Sequence, residues 1–388
     1  MAYQREEATS SEMRHDWLAD RWVIMAPQRT QRPSDYVVGP PRELGNENCP
    51  FCEGREEHTP PAVASYSSPR AAISRTAKSC AAASGAVATA AWSVRVVPNK
   101  FPAVSAAVPS LAVSAGGGLA LAVDSCQSFG LPQTSSADDS ASAQSSIDLF
   151  RRRDLTGGHE VIVESPHHWH SISQLDHEAT CLVFTAYRDR LQHWLDDLGL
   201  AYGVVFKNVG LDAGASLVHT HSQLIATDIM PPDIARAAER MELFARKESA
   251  CLFCRMAEDE LEQQVRVVEQ TPAFVAFCPF ASRLPSQITI LPKRHQTRFQ
   301  ALGNAELEQL AWLTHRLVRR IEHCYPDAAY NFIIHTSPNR LASPDCFHWR
   351  IELFPRITKV AGFEWGSDCY INPVAPESAA AALRTAGV

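Results

Sequence analysis

Two histidines on alternate positions, with a glutamine continuing the alternation, make His219-Thr220-His221-Ser222-Gln223 the stretch best suited to chemistry in this chain. Side chains of an extended strand alternate between faces, so His219, His221 and Gln223 are expected to share one surface. Two imidazoles and a carboxamide on one surface are a costly core, but they suit phosphate chemistry. A neutral imidazole attacks phosphorus near pH 7, and the phosphoramidate formed stays reactive enough to pass the group on.

A second set of residues has metal-ligand spacing. Cys49-Pro50-Phe51-Cys52 and Cys251-Leu252-Phe253-Cys254 are two Cys-x-x-Cys pairs, each followed by two histidines at nearly matching intervals: 219 − 168 = 51 for His168 and His219, 348 − 295 = 53 for His295 and His348. Thiolate and imidazole in a Cys2His2 set are the usual tetrahedral donors of structural zinc. The expectation is two Zn2+ sites per chain, Cys49, Cys52, His168 and His219 in one and Cys251, Cys254, His295 and His348 in the other. His167 and His170 flank His168 and are alternatives to it as the ligand.

The elements that must hold these residues repeat along the chain. Strands are expected at 22–25, 92–97, 158–164, 204–206, 273–277, 287–291, 330–335 and 347–352, with helices at 176–198, 231–246 and 304–325. Each half then carries a Cys-x-x-Cys, a strand ending in Pro and His, a helix and an alternating His strand, which is the pattern of an internal duplication. The expected division is 14–248 and 249–388. The larger first half is explained by an Ala/Ser-rich insertion at about 103–150, which with 62–92 reads as loop without periodicity. The fold class expected is α+β: two tandem repeats, antiparallel sheets flanked by helices.

Composition excludes several functions. With 45% hydrophobic and 20% charged residues and a net charge of −7, the 388-residue chain has the make-up of a soluble globular protein. No basic stretch is dense enough for nucleic acid or an anionic membrane, and no apolar run spans a bilayer. The N-terminus has neither a secretory nor a transit signature, so the cytoplasm is the expected compartment. Eleven cysteines, four of them in the two pairs, fit reduced thiols with some on metal better than a disulfide framework.

With these residues in hand, the chain resembles the galactose-1-phosphate uridylyltransferase family, the transferase branch of the histidine-triad superfamily. The motifs that carry the resemblance are Arg29 and Arg32 in Pro27-Gln-Arg-Thr-Gln-Arg-Pro33, Cys-Pro-Phe-Cys, Asn99-Lys100-Phe101, Asn208 before a Gly-rich turn, and His219-Thr-His221-Ser-Gln223. The tail, Gly362-Phe-Glu364-Trp through Cys369-Tyr-Ile-Asn-Pro373, is more like the ADP-glucose phosphorylases of that family. The resemblance implies two histidine-triad repeats and a homodimer. It implies that His221 is the nucleophile, His219 a zinc ligand and Gln223 a partner of the phosphoryl oxygens. Asn99, Phe101, Asn208 and Ser216 match nucleotide contacts, Arg29 and Arg32 match phosphate contacts, and Glu364 matches a hexose contact. The implied substrates are a nucleotide sugar with a sugar phosphate or phosphate. The family's default activity is uridylyl transfer from UDP-glucose to a hexose 1-phosphate. Transfer of an adenylyl group from ADP-glucose to phosphate is the alternative, and a zinc-stabilised nucleotide-binding protein without turnover a second. Asp368-Cys369-Tyr370 stands where uridylyltransferases carry a glutamine.

Gln223 bears on the type of reaction. A third histidine there could deliver a proton to a poor leaving group, whereas a carboxamide can only donate a hydrogen bond to a charged oxygen. A phosphate leaves with little protonation, so transfer is favoured over hydrolysis. The second half has His348-x-Arg350-x-Glu352 at the corresponding place. Arginine is no nucleophile at neutral pH, so that half is expected to be structural and sugar-binding. His315, His323 and the Glu239–Glu242 segment read as solvated helical positions, Cys80, Cys126 and Cys181 as ordinary thiols, and Gly116–Gly118 not as a phosphate loop.

Overall fold

The structure is a computed structural model that describes residues 11–31, 48–67, 92–104, 150 and 152–387. Arg32, Cys80, Cys126, Gly116–Gly118 and nearly all of the Ala/Ser-rich stretches lie outside the described residues.

Thirteen strands can be traced among the described residues: β1 Glu12–Asp16, β2 Arg21–Met25, β3 Ala64–Tyr66, β4 Val94–Pro98, β5 Gly157–Val163, β6 Tyr202–Val209, β7 His221–Thr227, β8 Val267–Gln270, β9 Phe274–Phe277, β10 Ile288–Pro292, β11 Tyr330–His335, β12 Arg350–Pro355 and β13 Tyr370–Asn372. The α-helices are α1 His177–Gln192, α2 Pro232–Glu248, α3 Leu252–Gln263, α4 Asn304–Cys324, α5 Gly362–Ser367 and α6 Pro376–Thr385. The class is α+β, as the alternation of residues predicts.

Ten strands form one sheet in the order β3-β4-β5-β7-β6-β11-β12-β10-β9-β8, every pairing antiparallel. The sheet is continuous where the sequence suggested one sheet per repeat. β6 and β11 join the halves, with Tyr330 opposite Val209 and His335 opposite Val204. β1, β2 and β13 make a separate small sheet, in which β13 runs parallel to β2.

Alternation along the strands sorts the faces. Val94, Val96, Ile162, Leu224, Ile290, Ile351 and Leu353 point to one side and pack with Val183, Phe184, Tyr187 and Leu191 of α1 and Leu310, Leu313, Leu317 and Ile321 of α4 in the main core. Each such side chain contributes about 1.5–3 kcal/mol when fully buried. The other face carries two smaller clusters, one around Cys49, Phe51, Val161 and Val163 and one around Met241, Phe253, Val275 and Leu291. Both His-containing motifs open onto this second face.

Local signals set the ends of the elements. Asp176 caps α1 by accepting the Ala179 N–H at 2.8 Å. The helix then widens into a π turn at His193–Asp197, within the single helix read from the sequence. Gly210 has φ +81, and a Cβ there would press on Ala329, so only glycine suits the turn that returns β6 toward His219.

Several expectations are corrected. The last strand starts at Arg350 rather than Phe347, leaving His348 just before a strand, as His219 is before β7. Cys251 opens a helix, α3, that its composition did not announce. His315 is a buried residue, not a surface one: its Nε2 lies 3.1 Å from the carbonyls of both Ser173 and Leu175, and its ring stacks on Trp312. Met241 is fully buried within a segment that reads as solvated.

Candidate active site and metal centres

β7 lies between β5 and β6, and His221, its first residue, pairs with Val163 of β5. Its Nδ1 donates to the carbonyl oxygen of His219 at 2.7 Å. A proton fixed on Nδ1 of a neutral ring leaves Nε2 with its lone pair free. Burial lowers the His221 pKa, and the nearby Lys207 ammonium adds to that against the opposing bond to His219. His221 is buried, and its ring leans on Phe51, 5.2 Å between centroids.

Behind the motif, on the main-core side, is a buried ion pair. Lys207 Nζ donates to Glu164 Oε2 at 2.5 Å, to Thr220 Oγ1 at 2.8 Å and to the carbonyl of His221 at 3.1 Å. All three ammonium protons thus have acceptors. Glu164 also accepts from Thr220, Tyr187 and Ser222. Burial opposes ionisation of Glu164, but the Lys207 ammonium and these hydrogen bonds outweigh it and hold the carboxyl below its usual range.

The first Cys/His cluster joins the loop at Cys49–Cys52 to the same motif. Cys49 Sγ lies 3.4 Å from His219 Nδ1, Cys52 Sγ lies 3.6 Å from it, and Cys52 Sγ lies 3.4 Å from His168 Nδ1. The second repeats this geometry: Cys251 and Cys254 Sγ each 3.5 Å from His348 Nδ1, and Cys254 Sγ 3.4 Å from His295 Nδ1. In each set of four, all ligand atoms fall within 4.8 Å of one another. A tetrahedron with the usual Zn–S and Zn–N bond lengths has an S···N edge of about 3.5 Å, so both clusters have the size zinc requires. The tautomers fit too. His219 Nε2 bonds the Ser165 carbonyl at 2.8 Å and His295 Nε2 that of Asp345 at 2.9 Å, leaving each Nδ1 as a lone-pair donor. Burial drives His219 to about 4, which keeps it neutral. Of the three neighbouring histidines at 167, 168 and 170, His168 is the one in the cluster.

The second half differs where catalysis would need it. Arg350 Nε donates to Glu352 Oε1 at 3.1 Å, Arg283 to Oε2 at 3.3 Å, and the Arg350 guanidinium rests over Phe253. Burial opposes charge on Glu352, but Arg350, His335 and Arg283 hold it well below the usual carboxylate range. A closed ion cluster stands where the first half has an imidazole and an amide.

Asn99 and Gln223 come together, Asn99 Nδ2 lying 3.5 Å from Gln223 Oε1. Phe101 is 83% exposed on the loop after β4, beside them and open to a ligand. Asn208 Oδ1 accepts from Asn331, and Ser216 is exposed in the turn leading to His219. Arg29 is exposed in a 3-10 turn after β2. Glu364 caps α5 beside the small sheet, its carboxylate accepting the Ala361 N–H at 3.0 Å. The sequence reading missed His159, whose Nε2 is 2.8 Å from Gln223 Oε1. Its signal was present, since His159 alternates with Val161 and Val163 on the face that bears His221.

The family described as "Domain of unknown function (DUF4921)" matches residues 127–385, about two thirds of the chain. The chain belongs to this family of proteins resembling galactose-1-phosphate uridylyltransferase, and is homologous to that enzyme and to ADP-glucose phosphorylase. It is 29% identical to ADP-glucose phosphorylase of Arabidopsis thaliana over 97% of this chain and 93% of that one. It is 27% identical to galactose-1-phosphate uridylyltransferase of Thermotoga maritima over 61% of this chain and 76% of that one. The crystal structure of the Arabidopsis thaliana ADP-glucose phosphorylase with bound ADP-glucose superposes with a TM-score of 0.74, covering 98% of this chain and 99% of that one at 27% identity. A uridylyltransferase structure at 22% identity and TM-score 0.63 shares the fold. The protein is an enzyme of the nucleotidyl-transfer type. No helix among the described residues is long and apolar enough to cross a membrane.

Proposed function

We propose that the protein moves a nucleoside monophosphate from a nucleotide sugar to a phosphate acceptor through a covalent His221 adduct, and that ADP-glucose and inorganic phosphate are its substrates. The observation that carries the reading is the 2.7 Å bond from His221 Nδ1 to the His219 carbonyl, which leaves Nε2 as the nucleophile beside Gln223. Nε2 attacks the phosphorus next to adenosine and the P–O bond to glucose 1-phosphate breaks. A phosphate oxygen then attacks the same phosphorus, the N–P bond breaks and ADP leaves. Gln223 donates to a non-bridging oxygen in both steps. Zinc at the two Cys2His2 clusters supplies structure, holding the Cys49–Cys52 loop on the His219 segment and Cys251–Cys254 on the His348 segment.

The likeness to ADP-glucose phosphorylase along nearly the whole chain supports adenylyl over uridylyl transfer. So does the tail, where Asp368-Cys369-Tyr370 replaces the expected glutamine. In this reading Asn99, Phe101, Asn208 and Ser216 contact the nucleotide, Arg29 and Arg32 the phosphates, and Glu364 the hexose. Residues 14–248 form the catalytic repeat and 249–388 the non-catalytic one, and the chain works as a homodimer. Purified protein is offered ADP-glucose with phosphate and, separately, UDP-glucose with galactose 1-phosphate. Turnover of the first pair alone is expected, and turnover of the second pair alone overturns the choice of nucleotide.

A further inference from the structure

We propose that His159 is a positioning residue that selects the orientation of the Gln223 carboxamide, an inference that rests on the nucleotidyl-transfer reading above. β5 runs antiparallel to β7, with Val161 opposite Gln223 and His159 opposite Ile225. That register places His159 on the His221 face, one step along from Gln223.

Three contacts define what His159 does. The Ala103 N–H donates to His159 Nδ1 at 3.2 Å, so Nδ1 is the acceptor and a neutral ring carries its proton on Nε2. Nε2 therefore donates to Gln223 Oε1 at 2.8 Å. Asn99 Nδ2 lies 3.0 Å from that same Nε2, so two donors stand side by side, and both are satisfied by sharing Gln223 Oε1, 3.5 Å from Asn99 Nδ2, as their acceptor. The Asn99 Oδ1 is already taken by the Phe101 N–H at 2.9 Å, which fixes its amide too.

A carboxamide is nearly symmetric in shape, and turning it over exchanges an oxygen for an NH2 group. Turned one way, Gln223 meets a phosphoryl oxygen with a donor; turned the other, it meets that negative oxygen with another oxygen. Donors converging on Oε1 leave only the first orientation satisfied, because an NH2 facing His159 Nε2–H would put donor against donor. His159 also ties Gln223 to the loop of Asn99–Ala103. The link from the Asn99 N–H to the His159 carbonyl is backbone and survives substitution of the ring.

The test is single-turnover labelling of His221 by ADP-glucose carrying 32P next to adenosine. His159→Phe keeps a ring of similar size and removes the donor; His159→Gln keeps a nitrogen donor near the Nε2 position. His159→Phe is expected to slow adduct formation about tenfold to a hundredfold with little change in the Kd for ADP-glucose. His159→Gln is expected to recover most of the rate. In a Gln223→Ala background, His159→Phe is expected to have no further effect, because its target is gone. Should His159→Phe fail to fold, Ala103→Pro, which deletes the N–H that fixes the tautomer, must slow the same step. Full additivity of His159→Phe and Gln223→Ala, or no rescue by His159→Gln in a folded protein, overturns the proposal. Wild-type protein that forms no adduct overturns the underlying reading and this role with it, and that failure is seen before any substitution is made.

Discussion

The carbonyl of His219 accepts the Nδ1–H of His221 at 2.7 Å, while the His219 ring turns its own Nδ1 to Cys49 and Cys52. One residue thereby belongs to a candidate metal cluster through its side chain and fixes a neighbouring tautomer through its backbone. Disturbing the first cluster should therefore disturb the proposed nucleophile, whereas the second cluster has no such neighbour. Cys49→Ser is expected to lower bound zinc, Tm and the rate of His221 labelling together. Cys251→Ser is expected to lower zinc and Tm while leaving most of the labelling rate in the molecules that remain folded. Elemental analysis, thermal melts and the labelling assay read the three quantities. Equal losses of rate from both substitutions would contradict this division.

Lys207 and Glu164 form the floor beneath the motif, and their charge makes the fold sensitive to acid. Lys207→Met leaves the Glu164 carboxylate buried without its cation and is expected to cost about 3–5 kcal/mol in urea unfolding at pH 7. The sign of the pH dependence follows from the depressed folded-state pKa of Glu164. Its contribution is present above the unfolded-state carboxyl value of about 4.3 and is lost as pH falls through the lower folded value. Stability should therefore fall on acidification below about pH 5, and Glu164→Gln should flatten that fall by up to about 1.4 kcal/mol per pH unit. Identical pH slopes for wild type and Glu164→Gln would remove the ion pair from the account.

The parts legible in the sequence were those carried by short periods and by donor chemistry. The Cys and His spacings marked both clusters, and the alternation of 158–164 and 330–335 marked central strands. What stayed hidden depends on contacts between distant segments. The joining of β6 to β11 into one sheet leaves no trace in either strand alone. His315 looked solvated because its partners, the carbonyls of Ser173 and Leu175, are supplied by a loop far away in sequence. His159 was overlooked because a histidine in a valine-rich strand reads as strand, and only the register with β7 brings it to Gln223.

Gly158 is a place beneath the site where packing leaves no room for a side chain. A Cβ built there would lie against the ring of Trp194, which is buried in the π turn after α1. The ring cannot swing away without disturbing the main core, so Gly158→Ala is expected to cost about 1–3 kcal/mol by overpacking. Because His159 is the next residue, the same substitution should slow His221 labelling. Gly366→Ala is the control: nothing lies within 4 Å of its added carbon, and alanine suits α5 better than glycine. Equal Tm values for the two variants would refute the packing argument.

The Arg350–Glu352 pair gives the last expectation, the number of reactive centres. Arg350 occupies the position of His221, and with Arg283 it encloses Glu352 in a buried ion cluster beside Phe253. Arg350 has no lone pair for attack on phosphorus, since guanidinium stays protonated, and the Glu352 carboxylate is engaged by both arginines. Labelling of wild-type protein is expected to stop at one phosphate per chain. Arg350→Ala should leave that number at one while costing about 3 kcal/mol or more, because a buried carboxylate loses one of its cations. His221→Ala should take the number to zero with the second half intact. Two labels per chain in wild type, or any label in His221→Ala, would place chemistry in the second repeat and end the assignment of a single centre.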